Sequence, residues 1–197
     1  MKTIDSDISE RIRKGDKSVF RDIVNEYKDR AFALAFRILK NRQEAEDALQ
    51  EAFLRLYNSI MNKSYRNESK LSTYFYSIVY NTSVEFYRKI YSKNFSVISI
   101  DITEAKYTEG DELLRNYESD IHTQEIDGII KNYINNIPQQ YSVILTMFYI
   151  NEMTLKEIAD MLGIPIGTVK NRIFRAKEKL KELLLKDFSY EELKQYA

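Results

Sequence analysis

The stretch Thr154–Lys181, TLKEIADMLGIPIGTVKNRIFRAKEKLK, constrains the fold more than any other part of the chain. Its spacing predicts two helices joined by a tight corner. Thr154 stands three residues before Glu157, the arrangement of a capping box, in which hydroxyl and carboxylate each satisfy an orphan amide at a helix start. Leu155, Ile158, Ala159 and Leu162 share one helical face. Gly163 can end that helix at low steric cost, and Pro165 cannot continue it. A second helix is predicted to start near Gly167–Thr168, with Val169, Ile173, Ala176 and Leu180 turned inward.

At about 100° per residue the opposite side of this second helix carries Thr168, Lys170, Asn171, Phe174 and Arg175, with Arg172 on its flank. Gly167–Lys181 holds six bases and one acid, Glu178. Two helices across a short corner, the second polar and basic on its free side, form a helix-turn-helix whose second helix can enter a major groove. A basic amphipathic helix alone would be no more than a solvated hairpin. Capping box, small Ala159, Gly163 and the Gly167-Thr168-Val169 start together favour DNA reading.

Charge distribution divides the rest of the chain. The formal net charge over 197 residues is zero, but residues 1–92 carry 17 bases and 13 acids, residues 93–137 carry 4 and 9, and residues 138–186 carry 8 and 5. Two basic blocks on either side of an acidic one suggest two modules and a connector. The absence of cysteine excludes disulfides and thiolate metal sites and suits a reducing compartment. No apolar run approaches a membrane span, and MKTIDSDISE lacks the pattern of a signal peptide, so a cytoplasmic protein without membrane insertion is expected. Five glycines, two prolines and almost no alternating pattern argue for an all-α fold.

In chain order, residues 5–15 suggest a short helix that breaks at Gly15-Asp16. Phe20, Ile23, Val24, Tyr27, Ala31, Leu34, Ala35 and Ile38 then predict a long amphipathic helix, with Asn41 placed to close it. QEAEDALQEAFLRLYNSI predicts another, Ala45, Ala48, Leu49, Ala52, Phe53 and Leu56 facing in and Glu44, Glu46, Asp47, Gln50 and Glu51 facing out. Taken alone, such an acidic face is a solvated surface. Periodicity stops from Met61 to Thr73, a polar loop. An aromatic-dense helix follows, from Tyr74 through Tyr87 to Arg88-Lys89. It holds more aromatics than one buried stripe can use, and tyrosine beside arginine and lysine suits single-stranded nucleic acid as well as it suits a core.

Residues 93–127 lack sustained helical spacing and predict a linker of low order, in which Val97, Ile98, Ile100 and Ile102 suggest a brief extended piece. His122, the sole histidine, lies there without a partner constellation, so neither a metal nor a catalytic role is expected. Helicity is expected to resume near Glu125 and to break at Pro138. Tyr141, Ile144, Leu145 and Phe148 then predict a helix against the helix-turn-helix.

With both ends in view the chain resembles the bacterial sigma factors of the extracytoplasmic-function (ECF) group, in the sigma-70 family. The resemblance is carried by EAEDALQEAFLRLY, by KLSTYFYSIVYNTSVEFYRK, and by IPQQYSVILTMFYINEMTLKEIADMLGIPIGTVKNRIFRAKEKL. It implies two helical domains joined by a flexible acidic linker: region 2 over 1–92, the linker over 93–124, region 4 over 125–185, then a tail over 186–197. It implies that Asp47, Gln50 and Glu51 dock on a basic coiled coil of core RNA polymerase, where complementary charge sets register. It implies that the loop and following helix capture the non-template strand of the minus-ten element, through Tyr65, Asn67, Lys70, Ser72, Tyr76, Tyr80 and Asn81, with Arg88 and Lys89 on phosphates. Region 4 would read the minus-thirty-five element through Thr168, Lys170, Asn171, Arg172 and Arg175. Family members commonly carry tryptophan where Tyr74 stands and arginine where Ser77 and Tyr80 stand, a departure within the strand-capturing helix.

The implied partners are core polymerase, promoter DNA and an anti-sigma factor, with no cofactor, no small-molecule substrate and no catalysis by this chain. The competing expectation is a free-standing helix-turn-helix regulator with a ligand-sensing first domain, which would bind a palindrome without polymerase. An all-helical enzyme is disfavoured, because a nucleophilic or metal site needs convergent His, Cys or Asp groups that the sequence does not offer.

Overall fold

The computed structural model describes residues 8, 11, 14–16, 18–62, 64–65, 69–91 and 133–189. The linker, His122, Asn67 and the tail beyond residue 189 lie outside these residues, as does most of the helix expected over 5–15. The chain divides into two compact units, Met1–Phe95 with Tyr149–Met153, and Ser96–Phe148 with Thr154–Ala197. The described residues form six α-helices: α1 (Val19–Leu39), α2 (Arg42–Met61), α3 (Leu71–Ile90), α4 (Gln139–Leu145), α5 (Leu155–Leu162) and α6 (Ile166–Asp187).

In the first unit α1, α2 and α3 pack pairwise. α1 buries Ile23, Tyr27, Ala31, Leu34 and Ile38, while α2 contributes Ala45, Ala48, Ala52, Leu56 and Ile60. The run of alanines on α2 presents little side-chain bulk, so neighbouring helices can approach closely. Larger side chains fill the space that remains. Phe75 and Phe53 lie 4.6 Å apart, Tyr27 meets Tyr76 edge-on at 6.1 Å, and Phe20 meets Tyr57 edge-on at 5.2 Å. Each such pair adds about 0.5–1.5 kcal/mol beyond its buried area.

The turn between α1 and α2 differs from the expectation. Lys40, not Asn41, closes α1: its backbone is left-handed, with φ 57°, and its N–H donates to the Phe36 carbonyl. Asn41 instead opens α2, accepting the Glu44 amide on its side chain at 3.2 Å. Asparagine suits either end of a helix, because it tolerates left-handed backbone and also caps well. With one residue fewer in the connection, it takes the second role. Similarly, the polar loop ends sooner than its composition suggested, since α3 begins at Leu71, whose side chain is fully buried.

In the second unit α4 and α5 both pack on α6. Pro138 starts α4 by supplying a fixed φ where no helical amide is needed. α4 runs into one π-helical turn, Thr146–Ile150, of which Thr146–Phe148 belong to this unit. Ile144, Leu145, Met147, Ile158, Val169, Ile173, Ala176 and Leu180 make the core, the four inward α6 positions being those the spacing predicted.

Candidate nucleic-acid interface

The corner between α5 and α6 is built as its residues dictate. The Thr154 hydroxyl accepts the Glu157 amide at 3.2 Å, and the Glu157 carboxylate accepts the Thr154 amide at 2.8 Å. α5 ends at Gly163, whose φ of +65° is the left-handed conformation that favours glycine. The Gly163 and Ile164 amides both donate to the Ala159 carbonyl, the latter at 3.1 Å. Pro165 then fixes the approach to α6, which starts at Ile166, slightly ahead of the expected position.

This corner sets how α6 is presented. Asn171, Phe174 and Arg175 are exposed, while Thr168, Lys170 and Arg172 are half-buried on the flanks. Asn171, Phe174, Arg175 and Glu178 follow one another at intervals of three, one and three, a single stripe opposite the core. At the start of α6 the amides of Thr168 and Val169 donate to the Pro165 carbonyl, and those of Ile166 and Gly167 find no backbone acceptor. Such amides favour an anion, as does the positive end of the helix dipole.

On α3 the expected DNA-facing residues divide. Asn81, Arg88 and Lys89 are exposed on the outer side, and Lys70 is exposed just before the helix. Ser72 and Tyr80 are half-buried. Tyr76 is 1% exposed and belongs to the core beside Tyr27 and Phe75, so in this structure it offers no face to a base. Its place follows from register: Phe75, Tyr76, Val79 and Ser83 share the inward side. Tyr65 is half-buried and tied down, its ring 4.9 Å from Tyr74 and its hydroxyl donating to the Ser69 carbonyl at 2.8 Å. Tyr74 in turn shares a 2.7 Å hydrogen bond with Ser59 of α2. Of the six aromatics of α3, Phe75 and Tyr76 are buried, and Tyr74, Tyr80, Phe86 and Tyr87 are half-buried. At the end of α3, Lys89 lies over the Phe86 ring and Tyr87 packs on Tyr91 at 4.7 Å.

On α2, Asp47 and Gln50 are exposed, whereas Glu51 is engaged. Arg55 binds Glu51 at 2.9 Å and Glu85 of α3 at 2.8 Å. The two carboxylates raise the Arg55 pKa, Glu85 contributing most. The hydrogen bond from Arg55 holds the Glu85 carboxyl below its usual range. The sequence reading missed Leu54, which is 58% exposed between Gln50 and Asn58. A signal was available. Nine residues at about 100° each bring Leu54 round to the side opposite Ala45, out of phase with every other apolar residue of the stripe. Among the described residues no group of three metal-binding side chains converges, and no helix is long and apolar enough to cross a membrane.

Comparison with known proteins bears on this arrangement. Residues 23–92 match the family model for sigma-70 region 2, and residues 127–180 match that for sigma-70 region 4. The ECF RNA polymerase sigma factor SigW of Bacillus subtilis is 36% identical over 178 residues, covering 88% of this chain and 93% of the relative. The chain belongs to the ECF sigma factors. The RNA polymerase sigma-H factor of Pseudomonas aeruginosa is 30% identical over 185 residues, covering 91% of this chain and 93% of that protein. The Escherichia coli ECF sigma-E factor is 29% identical over 177 residues, covering 88% of this chain and 91% of that protein. Among solved structures the same fold is seen in CnrH bound to the cytosolic domain of CnrY, with TM-score 0.61, 16% identity, and 94% and 100% of the two chains covered. It is also seen in RpoE bound to the anti-sigma factor NepR, from Bartonella quintana, with TM-score 0.57, 21% identity, and 87% and 99% covered. The three-helix unit of this sigma factor is thus its region 2, and the helix-turn-helix unit its region 4.

Proposed function

We propose that this sigma factor directs core RNA polymerase to promoters through three separate surfaces. The observation that carries the reading is the α6 stripe, in which Asn171 and Arg175 stand exposed on a helix positioned by a fully formed capping box and a left-handed glycine. Arginine reads guanine and asparagine adenine in the major groove. Thr168, Lys170 and Arg172, on the flanks, suit phosphates and fix the register of the helix on the duplex.

The second surface is the outer side of α3 with the loop before it. Lys70, Ser72, Tyr80 and Asn81 contact the non-template strand of the minus-ten element, and Arg88 and Lys89 its phosphates. Asn67, outside the described residues, is assigned to the same strand by its place in the sequence. Tyr65 serves by holding that loop against Tyr74, and Tyr76 by supporting α3 from within. The third surface is the exposed side of α2, where Leu54 supplies an apolar anchor with Asp47 and Gln50 as its polar surround, the usual anatomy of a tight interface. Glu51 acts at its margin through Arg55. Recognition and duplex opening are the work of this chain, and RNA synthesis that of the polymerase. An anti-sigma protein, of the kind bound to the Bartonella quintana relative, is the expected restraint.

Transcription in vitro with purified core polymerase over a genomic promoter pool, with start sites mapped, tests the reading. Addition of the sigma factor is expected to create a discrete set of start sites that share two upstream elements. Starts no different from those of core polymerase alone would overturn it.

A further inference from the structure

Ser59 stands half-buried on the last turn of α2, where polar contacts from two other segments converge on it. The last four carbonyls of a helix have no partner within it. That of Ser59 accepts the Ser64 amide at 2.9 Å, the Tyr65 amide at 3.2 Å and the Ser64 hydroxyl at 3.0 Å. The Ser59 hydroxyl shares its 2.7 Å hydrogen bond with Tyr74, in the first turn of α3. Because the Tyr74 ring also packs on that of Tyr65, Ser59, Tyr65 and Tyr74 close a triangle. We infer that Ser59 is a positioning residue for capture of the open strand: its carbonyl holds the start of the loop, and its hydroxyl holds the start of α3. The inference rests on the assignment of that loop and α3 to the minus-ten strand, and adds the residue that sets them in place.

Placement gives the anchor its rigidity. Ser59 lies between the buried Leu56 and Ile60, so its backbone is fixed by the core of the unit. Connectivity carries the effect to the strand-binding residues. The Tyr65 hydroxyl donates to the Ser69 carbonyl, and Lys70 and Ser72 follow Ser69 by one and three residues. Entropy makes the anchor matter. A segment immobilised only on binding weakens that binding by the freedom it loses, and a segment held beforehand does not. Hydrophobic burial gives no reason for the pair, since both hydroxyls are half-buried and polar.

The test uses holoenzyme assembled from this chain and core polymerase, on a promoter that it opens, at a temperature where every variant is folded by circular dichroism. Ser59→Ala and Tyr74→Phe each remove one hydroxyl, and the second keeps the ring that packs on Tyr65. Each is expected to lower the equilibrium for opening about fivefold, the worth of one hydrogen bond at about 1 kcal/mol. Permanganate reactivity of unpaired thymines reads this loss, and affinity for core polymerase should stay at the wild-type value. The double variant should lose no more than either single one, because both delete the same bond. Ser59→Thr, which keeps the hydroxyl, should open the promoter as wild type does. Losses that add in the double variant, or a Ser59→Thr as deficient as Ser59→Ala, overturn the inference. So does a loss of equal size in core polymerase affinity, or normal opening by both single variants. Asn81→Ala separates the two levels. If it weakens opening while the hydroxyl deletions do not, the anchor alone falls. If none of the three has an effect, the strand-capturing role of α3 falls with it.

Discussion

Two residues of α3 separate core from surface. Tyr76 is buried among aromatic rings, and Asn81, five positions on, is exposed. Tyr76→Ala should cost about 3–5 kcal/mol, the usual price of deleting a buried aromatic, visible as a lower denaturation midpoint. Asn81→Ala should leave that midpoint unchanged and weaken opening of the minus-ten region, read by permanganate reactivity of unpaired thymines. Glu85 offers a pH test at the same scale. Its carboxyl is held below the ordinary glutamate value of 4.5 by the hydrogen bond from Arg55. Because the folded pKa is depressed, the bridge contributes stability above that value and loses it as pH falls through the folded pKa. Thermal melts from neutral to acidic pH should therefore show a steeper decline for wild type than for Glu85→Gln. The side chains are part-exposed, so the difference will be small and will shrink in high salt.

Each helix carries a job set by one face. On α2 the core face is mostly alanine, and the opposite face presents Leu54 within a polar surround. Asp47→Arg and Leu54→Asp are each expected to abolish co-purification with core polymerase while leaving the helical circular dichroism spectrum intact. Retention of either variant on immobilised core polymerase at wild-type levels would remove α2 from the docking surface. α5 depends on its ends more than its length, since eight residues hold few internal hydrogen bonds. Thr154→Ala removes half of the capping box and should destabilise the helix-turn-helix unit by about 1 kcal/mol. The same change should reduce promoter binding only as far as the unit unfolds, a proportion that parallel melts and binding curves can check.

For the whole molecule, neither unit carries both α3, proposed to capture the open strand, and α6, proposed to read the groove. Binding two elements at once gains from effective concentration only when something holds the units at the right separation. The free chain is therefore expected to retard a cognate promoter fragment weakly and without sequence preference, and the holoenzyme to do so strongly at low concentration. Sequence-selective retardation of a palindrome by the free chain would instead mark an autonomous regulator.

Much of this was written in local sequence. The capping box, the glycine corner and the four-residue core stripe of α6 depend on neighbours within a few positions, and each stands where its spacing put it. Periodicity likewise marked α1, α2 and α3 as amphipathic, because a helix repeats its faces regardless of what covers them. Tertiary packing decided the rest. Tyr76 could not be told from a base-stacking residue until the other helices showed which aromatics the core required. Glu51 could not be told from a free docking charge until α3 brought Glu85 to the far side of Arg55. Asn41 could close one helix or open the next, and the turn settled which. Local sequence fixes what each helix is, since its hydrogen bonds close within four residues. Which side chains remain free to meet a partner depends on contacts from distant segments, and only the assembled fold determines those.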